Sequence, residues 1–157
     1  MEPRLTFEAA PDVANAMLRL SAHVHNHSGL EISLLNLVFL RASQINRCAY
    51  CLDMHWKDAR ASGETEQRLY SLDAWRESPF YTDRERAALA WAEAVTLITD
   101  GFVPDAVYNE VHPHFSDAEL ANLTLALVVI NGWNRLNVAF RTTPGTYRVP
   151  EAATARA

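Results

Sequence analysis

Three Ser/Thr-x-x-Glu patterns divide this chain into helix-length pieces: Ser28 with Glu31, Thr82 with Glu85, and Ser116 with Glu119. In such a box the hydroxyl accepts from the third helical amide while the glutamate reaches back to the capping residue, so each pattern predicts a helix start. Gly29, Gly63 and Gly101 supply stops, because glycine enters the left-handed conformation that ends a helix. Between these marks the apolar residues recur with helical period, predicting helices over 11–27, 31–45, 47–62, 65–74, 83–99, 104–112 and 117–140. There is no convincing alternating strand and no internal repeat. Ser78-Pro79 breaks the chain between two helices, and Pro104 suits a first helical turn. The expectation is an all-α, single-domain bundle spanning 1–157, with a core over 13–140 and a C-terminal arm over 142–157. Pro144, Gly145, Pro150 and the small residues after them make that arm a poor helix.

The 157 residues are enough to bury a sizeable core without a second domain. The net charge is −5, and arginines such as Arg19, Arg60, Arg86 and Arg141 are spread along the chain rather than clustered. That distribution argues against nucleic acid and anionic membrane as partners. Met1 to Pro11 has no apolar signal core, and the run Leu125 to Ile130 falls short of a membrane span. A cytoplasmic location is expected, where thiols stay reduced and a cysteine pair is more often catalytic or metal-binding than structural. Leu120 to Val129 is apolar almost all round, the pattern of a central core helix or one buried between subunits.

The only two cysteines lie in the run Ser43-Gln44-Ile45-Asn46-Arg47-Cys48-Ala49-Tyr50-Cys51-Leu52-Asp53-Met54-His55. On a helix, about 60° separates Cys48 from Cys51 and about 40° separates Cys51 from His55, so all three side chains share one face. A four-ligand zinc site would need a second pair, and a c-type haem a histidine at Leu52. A thioredoxin-type motif needs strand–helix flanks, and a disulfide across two residues removes little chain entropy. A redox dithiol, an open Cys-Cys-His metal site, or two incidental buried thiols remain. A helix start near Asn46 to Cys48 favours the first, because free amides and the positive dipole end stabilise a thiolate. Arg47 adds a cation, and His55 a proton acceptor.

The string S-Q-I-N-x-C-A-Y-C-L-D-M-H resembles the core of the alkyl hydroperoxidase D-like branch of the carboxymuconolactone decarboxylase family. The resemblance continues through Ala74-Trp75-Arg76, the segment Asp83 to Ala94, and Asn131-Gly132-Trp133-Asn134-Arg135-Leu136-Asn137, covering residues 13–140. It implies an alkyl hydroperoxidase D-like helical fold and a peroxiredoxin-type thiol peroxidase. In that reading Cys51 attacks the hydroperoxide, Cys48 resolves it as a disulfide, and His55 relays the proton. It also implies an external dithiol reductant, no bound cofactor or metal, and a homo-oligomer, trimeric or hexameric. Two positions depart from the family pattern. The glutamate usual twelve residues before the first cysteine is Asn36, and a histidine found between the cysteines in one subtype is Tyr50. Glu93, in the apolar pattern Ala88, Leu89, Trp91, Ala92 and Val95, is a candidate substitute carboxylate, with a structural ion pair as the alternative.

Two other functions compete with peroxide reduction: a non-catalytic or weakly active redox-sensing oligomer, and a lyase built on a Cys48-Cys51-His55 metal site. The run His23, His25, His27 invites a metal reading, but only His23 and His27 share a helical face and no third ligand sits at useful spacing. A solvated or interface face is expected there.

Overall fold

A computed structural model describes residues 2–150. The helices are α1 (Pro11–His27), α2 (Ile32–Ile45), α3 (Ala49–Ala61), α4 (Glu66–Tyr70), α5 (Asp83–Thr96), α6 (Asp105–Val111) and α7 (Asp117–Phe140). Short 3-10 turns at Phe7–Ala9, Leu72–Ala74 and His112–His114 complete the secondary structure, and no strand occurs among the described residues. The last seven residues of the expected arm lie outside them.

Two of the three expected caps form. Thr82 Oγ1 accepts from Glu85 N while Glu85 reaches back to Thr82 N, and Ser116 with Glu119 does the same at α7. The Ser28–Glu31 box does not form. Ser28 closes α1 instead, its hydroxyl accepting from Leu30 N at 3.3 Å. Glu31 becomes the N-cap of α2 with no side-chain cap bond, and its carboxylate pairs with Arg84 at 3.2 Å. A cation from a distant helix has outcompeted a local amide. The expected 65–74 helix also breaks, with α4 ending at Tyr70 and a 3-10 turn following.

Helix α2 is the hub, packed on α3, α5 and α7. Its Leu35, Leu37 and Val38 are fully buried, as are Leu89 on α5 and Leu123 and Leu127 on α7. Each such leucine contributes about 1.5–3 kcal/mol through burial. Helix α7 has the length and composition of a membrane span, with an 18-residue window of mean hydropathy 1.2, contrary to the expectation from its apolar run. It packs against α1, α2, α3 and α5, as expected for a central core helix. Gly132 lets α1 approach it closely: a Cβ there would lie 2.9 Å from Met17 Cε.

A ladder of amides fixes where α3 begins. Asn134, fully buried on α7, donates to Ser43 Oγ at 3.0 Å, and Asn46 Nδ2 donates to Asn131 Oδ1 at 2.9 Å and Asn134 Oδ1 at 2.8 Å. These bonds clamp the α2–α3 turn onto α7. Within it Arg47 takes a left-handed φ of 55°, and Cys48 N donates to Ser43 O at 3.0 Å. The chain is thereby aimed so that α3 starts on the cysteine pair.

Candidate active site

Cys48 is the N-cap of α3, with extended dihedrals and its Sγ accepting from Cys51 N at 3.3 Å. Cys51 lies in the first helical turn, where free amides concentrate. The two are joined as a disulfide with a Cα–Cα distance of 5.4 Å, and both are buried. The predicted helix start is therefore present, shifted by two residues from the expected 47–62 so that Cys48 caps the helix.

The sulfurs differ in what they face. Cys51 lines a cavity of about 470 Å³, whereas Cys48 does not. Phe7, Leu18, Phe39, Met54, Ile130 and Trp133 make most of its wall apolar. Polar groups share this cavity with Cys51: His55, Asp58 and Tyr50 from α3, His25 from α1, Asn137 from α7 and Tyr147 from the C-terminal arm. Asn137 Nδ2 donates to Cys51 Sγ at 3.6 Å and to Trp133 O at 3.0 Å, while its Oδ1 is buried without a hydrogen-bond partner. That amide is aimed at the sulfur and would stabilise negative charge there.

His55 packs on Phe39 in a tilted arrangement with ring centroids 5.0 Å apart. Burial, with a smaller contribution from His25, pulls its pKa down to about 3, so the imidazole is neutral at physiological pH. Its Nδ1 lies 3.9 Å from Asp58 Oδ2. Burial also lowers the His25 pKa, opposed by Asp58. Asp58 is pushed up by burial, against the opposing hydrogen bond from Tyr147 and the nearby His25. Tyr147 Oη donates to Asp58 Oδ1 at 2.6 Å.

The other proposed carboxylate is elsewhere. Glu93 does not line the cavity. Its Oε1 accepts from Arg41 Nε at 2.9 Å and Trp75 Nε1 at 2.8 Å, and its Oε2 from Arg76 Nη2 at 2.8 Å. Burial pushes this carboxyl up, but Trp75, Arg76 and Arg41 outweigh it and hold the pKa below the usual range. Glu93 is thus the buckle of an ion-pair cluster, because α5 turns it toward α2 and the Trp75 turn. Asn36 lines a separate, smaller cavity with Ser62 and Gly63.

Sequence reasoning missed His25, Asp58, Asn137 and Tyr147. His23 and His27 do share a face, their tilted rings 5.6 Å apart, but His25 between them turns inward to Phe39 and the cavity. Asp58 carried a readable signal: Cys51, His55 and Asp58 are spaced i, i+4, i+7, one face of a helix. Asn137 and Tyr147 carried none. Among the described residues, no group of three or more His, Cys, Asp or Glu side chains is arranged to hold a metal ion.

The carboxymuconolactone decarboxylase family model matches residues 11–94, more than half of the chain. The chain belongs to that family. An uncharacterized protein of Bacillus subtilis (strain 168), YdfG, is 41% identical over 133 residues, covering 85% of this chain and 90% of its own. The uncharacterized YnjA of Escherichia coli (strain K12) is 34% identical over 126 residues, covering 79% of this chain and 68% of its own. The crystal structure of ATU0492 from Agrobacterium tumefaciens, a protein of unknown function, superposes with a TM-score of 0.89 at 41% identity. The match covers 93% of this chain and all of that one. Within the carboxymuconolactone decarboxylase family the chain has the helical core of the alkyl hydroperoxidase D-like, peroxidase-related proteins, with Cys48, Cys51 and His55 in their C-x-x-C-x-x-x-H motif.

Proposed function

We propose that the protein is a thiol peroxidase that reduces organic hydroperoxides through the Cys48–Cys51 dithiol. The observation that carries this reading is the asymmetry of the pair. Cys51 faces an apolar cavity beside a neutral histidine, while Cys48 caps the helix behind it, already in bonding contact. Such a cavity accommodates an apolar tail and leaves the peroxide group among Cys51, His55 and Asn137. ATU0492 has itself been put forward as an antioxidant defence protein of the AhpD type, which supports the reading.

The chemistry runs in three balanced steps. His55 takes the Cys51 thiol proton, and the thiolate attacks one peroxide oxygen. The O–O bond breaks, the other oxygen leaves as alkoxide and takes that proton to become an alcohol, and Cys51 is left as a sulfenic acid. The Cys48 sulfur then attacks Cys51, water leaves, and the disulfide forms. An external dithiol supplies two electrons and two protons to restore both thiols, becoming a disulfide itself.

The protein is proposed to act as a cytoplasmic homo-oligomer. Exposed apolar side chains on α1 and α7, among them Leu18, Leu20, Val128 and Val138, support self-association. Consumption of cumene hydroperoxide with dithiothreitol as reductant tests the main reading. Wild type should turn over, Cys51→Ser should fall to the uncatalysed background, and Cys48→Ser, given no reductant, should consume one equivalent and stop at the Cys51 sulfenic acid without forming the intramolecular disulfide. A wild type with no turnover, whose cysteines nonetheless interconvert between dithiol and disulfide, would favour the redox-sensing alternative.

A further inference from the structure

The helical face that carries Cys51 and His55 continues one turn further to Asp58, and an element remote in sequence has been brought over to hold that carboxylate. Residues after α7 double back across α3. Gly145 N donates to Asp53 Oδ2 at 3.0 Å, and Lys57 Nζ donates to Asp53 Oδ2 at 2.7 Å and to Tyr147 O at 3.2 Å. With the arm tied at these points, Tyr147 Oη meets Asp58 Oδ1 at 2.6 Å. The second carboxylate oxygen lies 3.9 Å from His55 Nδ1, within ion-pair range of the ring. Every titratable group facing Asp58 belongs to this end of the cavity: His25 from α1, Tyr50 and His55 from α3, and Tyr147 from the arm.

We propose that Asp58 is the carboxylate of the proton relay, acting through His55 on Cys51, and that Tyr147, delivered by the C-terminal arm, positions it. As the Cys51 thiol proton moves to His55, the imidazolium it creates is buried and costly unless an anion stands beside it. Asp58 is that anion. When the proton leaves with the alcohol product, His55 returns to neutral and Asp58 is unchanged, so neither is consumed. Desolvation supports the assignment by making neutral His55 a poor acceptor on its own, which is the condition a paired carboxylate relieves. Asp58 and Tyr147 are positioning residues, since neither is placed on the reacting sulfur.

This inference deepens the thiol-peroxidase reading, but it is tested without a hydroperoxide. In a Cys48→Ser background Cys51 is the sole thiol, and its alkylation by iodoacetamide follows the thiolate population across pH. Asp58→Asn should move the midpoint upward by about one unit or more, a tenfold loss of thiolate below it. Asp58→Glu should restore most of the shift, and Tyr147→Phe should move it in the same direction by less. The sign is decisive. Were Asp58 merely a nearby negative charge, its removal would ease thiolate formation and move the midpoint downward. A downward shift, or none, overturns the proposal. Should Asp58→Asn not fold, Tyr147→Phe decides, because it alters only the arm. In cumene hydroperoxide turnover Asp58→Asn should also slow the reaction about tenfold or more. An alkylation shift without any wild-type turnover would uphold the relay and remove the peroxidase reading.

Discussion

Glu93 and the Cys51 end of the cavity are both polar sites on helices packed against α2, the first half-buried and the second buried, and they differ in whether their bonding capacity is used up. Both oxygens of Glu93 are engaged by Arg41, Trp75 and Arg76, and Arg41 is itself shared with Gln44 and Asp73. Around Cys51 the groups are only partly satisfied: Asn137 Oδ1 has no partner, His55 has a carboxylate just out of hydrogen-bond reach, and all face open volume. A saturated cluster resists change and holds elements together. A partly satisfied one beside a cavity can take on a substrate or a proton. The perturbed pKa values do not make this distinction, since Glu93 and His55 are both shifted. Geometry does.

The contrast can be broken by mutation. The largest effect after loss of Cys51 itself should come from His55→Ala, which removes the proposed proton acceptor. Turnover of cumene hydroperoxide should fall by at least about tenfold, a floor set below the range of about 10²- to 10⁴-fold that general acid–base catalysis supplies. Unchanged turnover in a folded His55→Ala protein would make the histidine a packing residue and erase the difference between the two clusters.

Glu93→Gln should do the opposite. It keeps the shape but loses the charge that Arg41 and Arg76 answer, so urea denaturation should show a loss of about 1–3 kcal/mol. Turnover of the folded fraction should stay within about twofold of wild type, because Glu93 is not in the cavity. A large fall in turnover at unchanged stability would return Glu93 to the relay.

Acid stability gives the smallest and most graded readout. The folded-state pKa of His55, about 3, lies below its ordinary value of 6.5. Between those limits the unfolded chain binds a proton that the native protein refuses, so stability is full above about pH 6.5 and declines as pH falls. The slope attributable to one such histidine is at most about 1.4 kcal/mol per pH unit. His25 is shifted the same way and adds to it. Urea midpoints across this range should therefore drop, and His55→Asn should flatten part of the drop from about pH 6.5 downward, while Glu93→Gln changes the slope only below about pH 5, where its depressed carboxyl begins to protonate in the unfolded chain.

Much of the fold was legible because its signals are local. The Thr82 and Ser116 boxes lie within four residues, and the apolar period that marked α1, α2 and α7 needs only a turn or two of helix to declare itself. The register of Cys48, Cys51 and His55 is equally local, so the dithiol at a helix start could be read directly from the chain. Where local and distant partners compete, the sequence by itself is silent. Glu31 satisfies the capping pattern perfectly well and goes to Arg84, and Glu93 sits in an apolar helix whose rotation only packing decides.

The cavity is the extreme case of such a decision. Asn137 reaches Cys51 across 86 residues, and Tyr147 reaches Asp58 across 89. The amino-acid sequence alone determined a helical chain with a closely spaced cysteine pair at a helix start and a histidine one turn below it, because backbone hydrogen bonds and helical periodicity act over a few residues. Which cysteine faces the cavity, which carboxylate stands beside the histidine and which asparagine touches the sulfur were decided by tertiary structure. Those placements depend on how α1, α7 and the C-terminal arm close around α3, and the burial that drives that closure is non-directional, leaving no spacing in the sequence to record it.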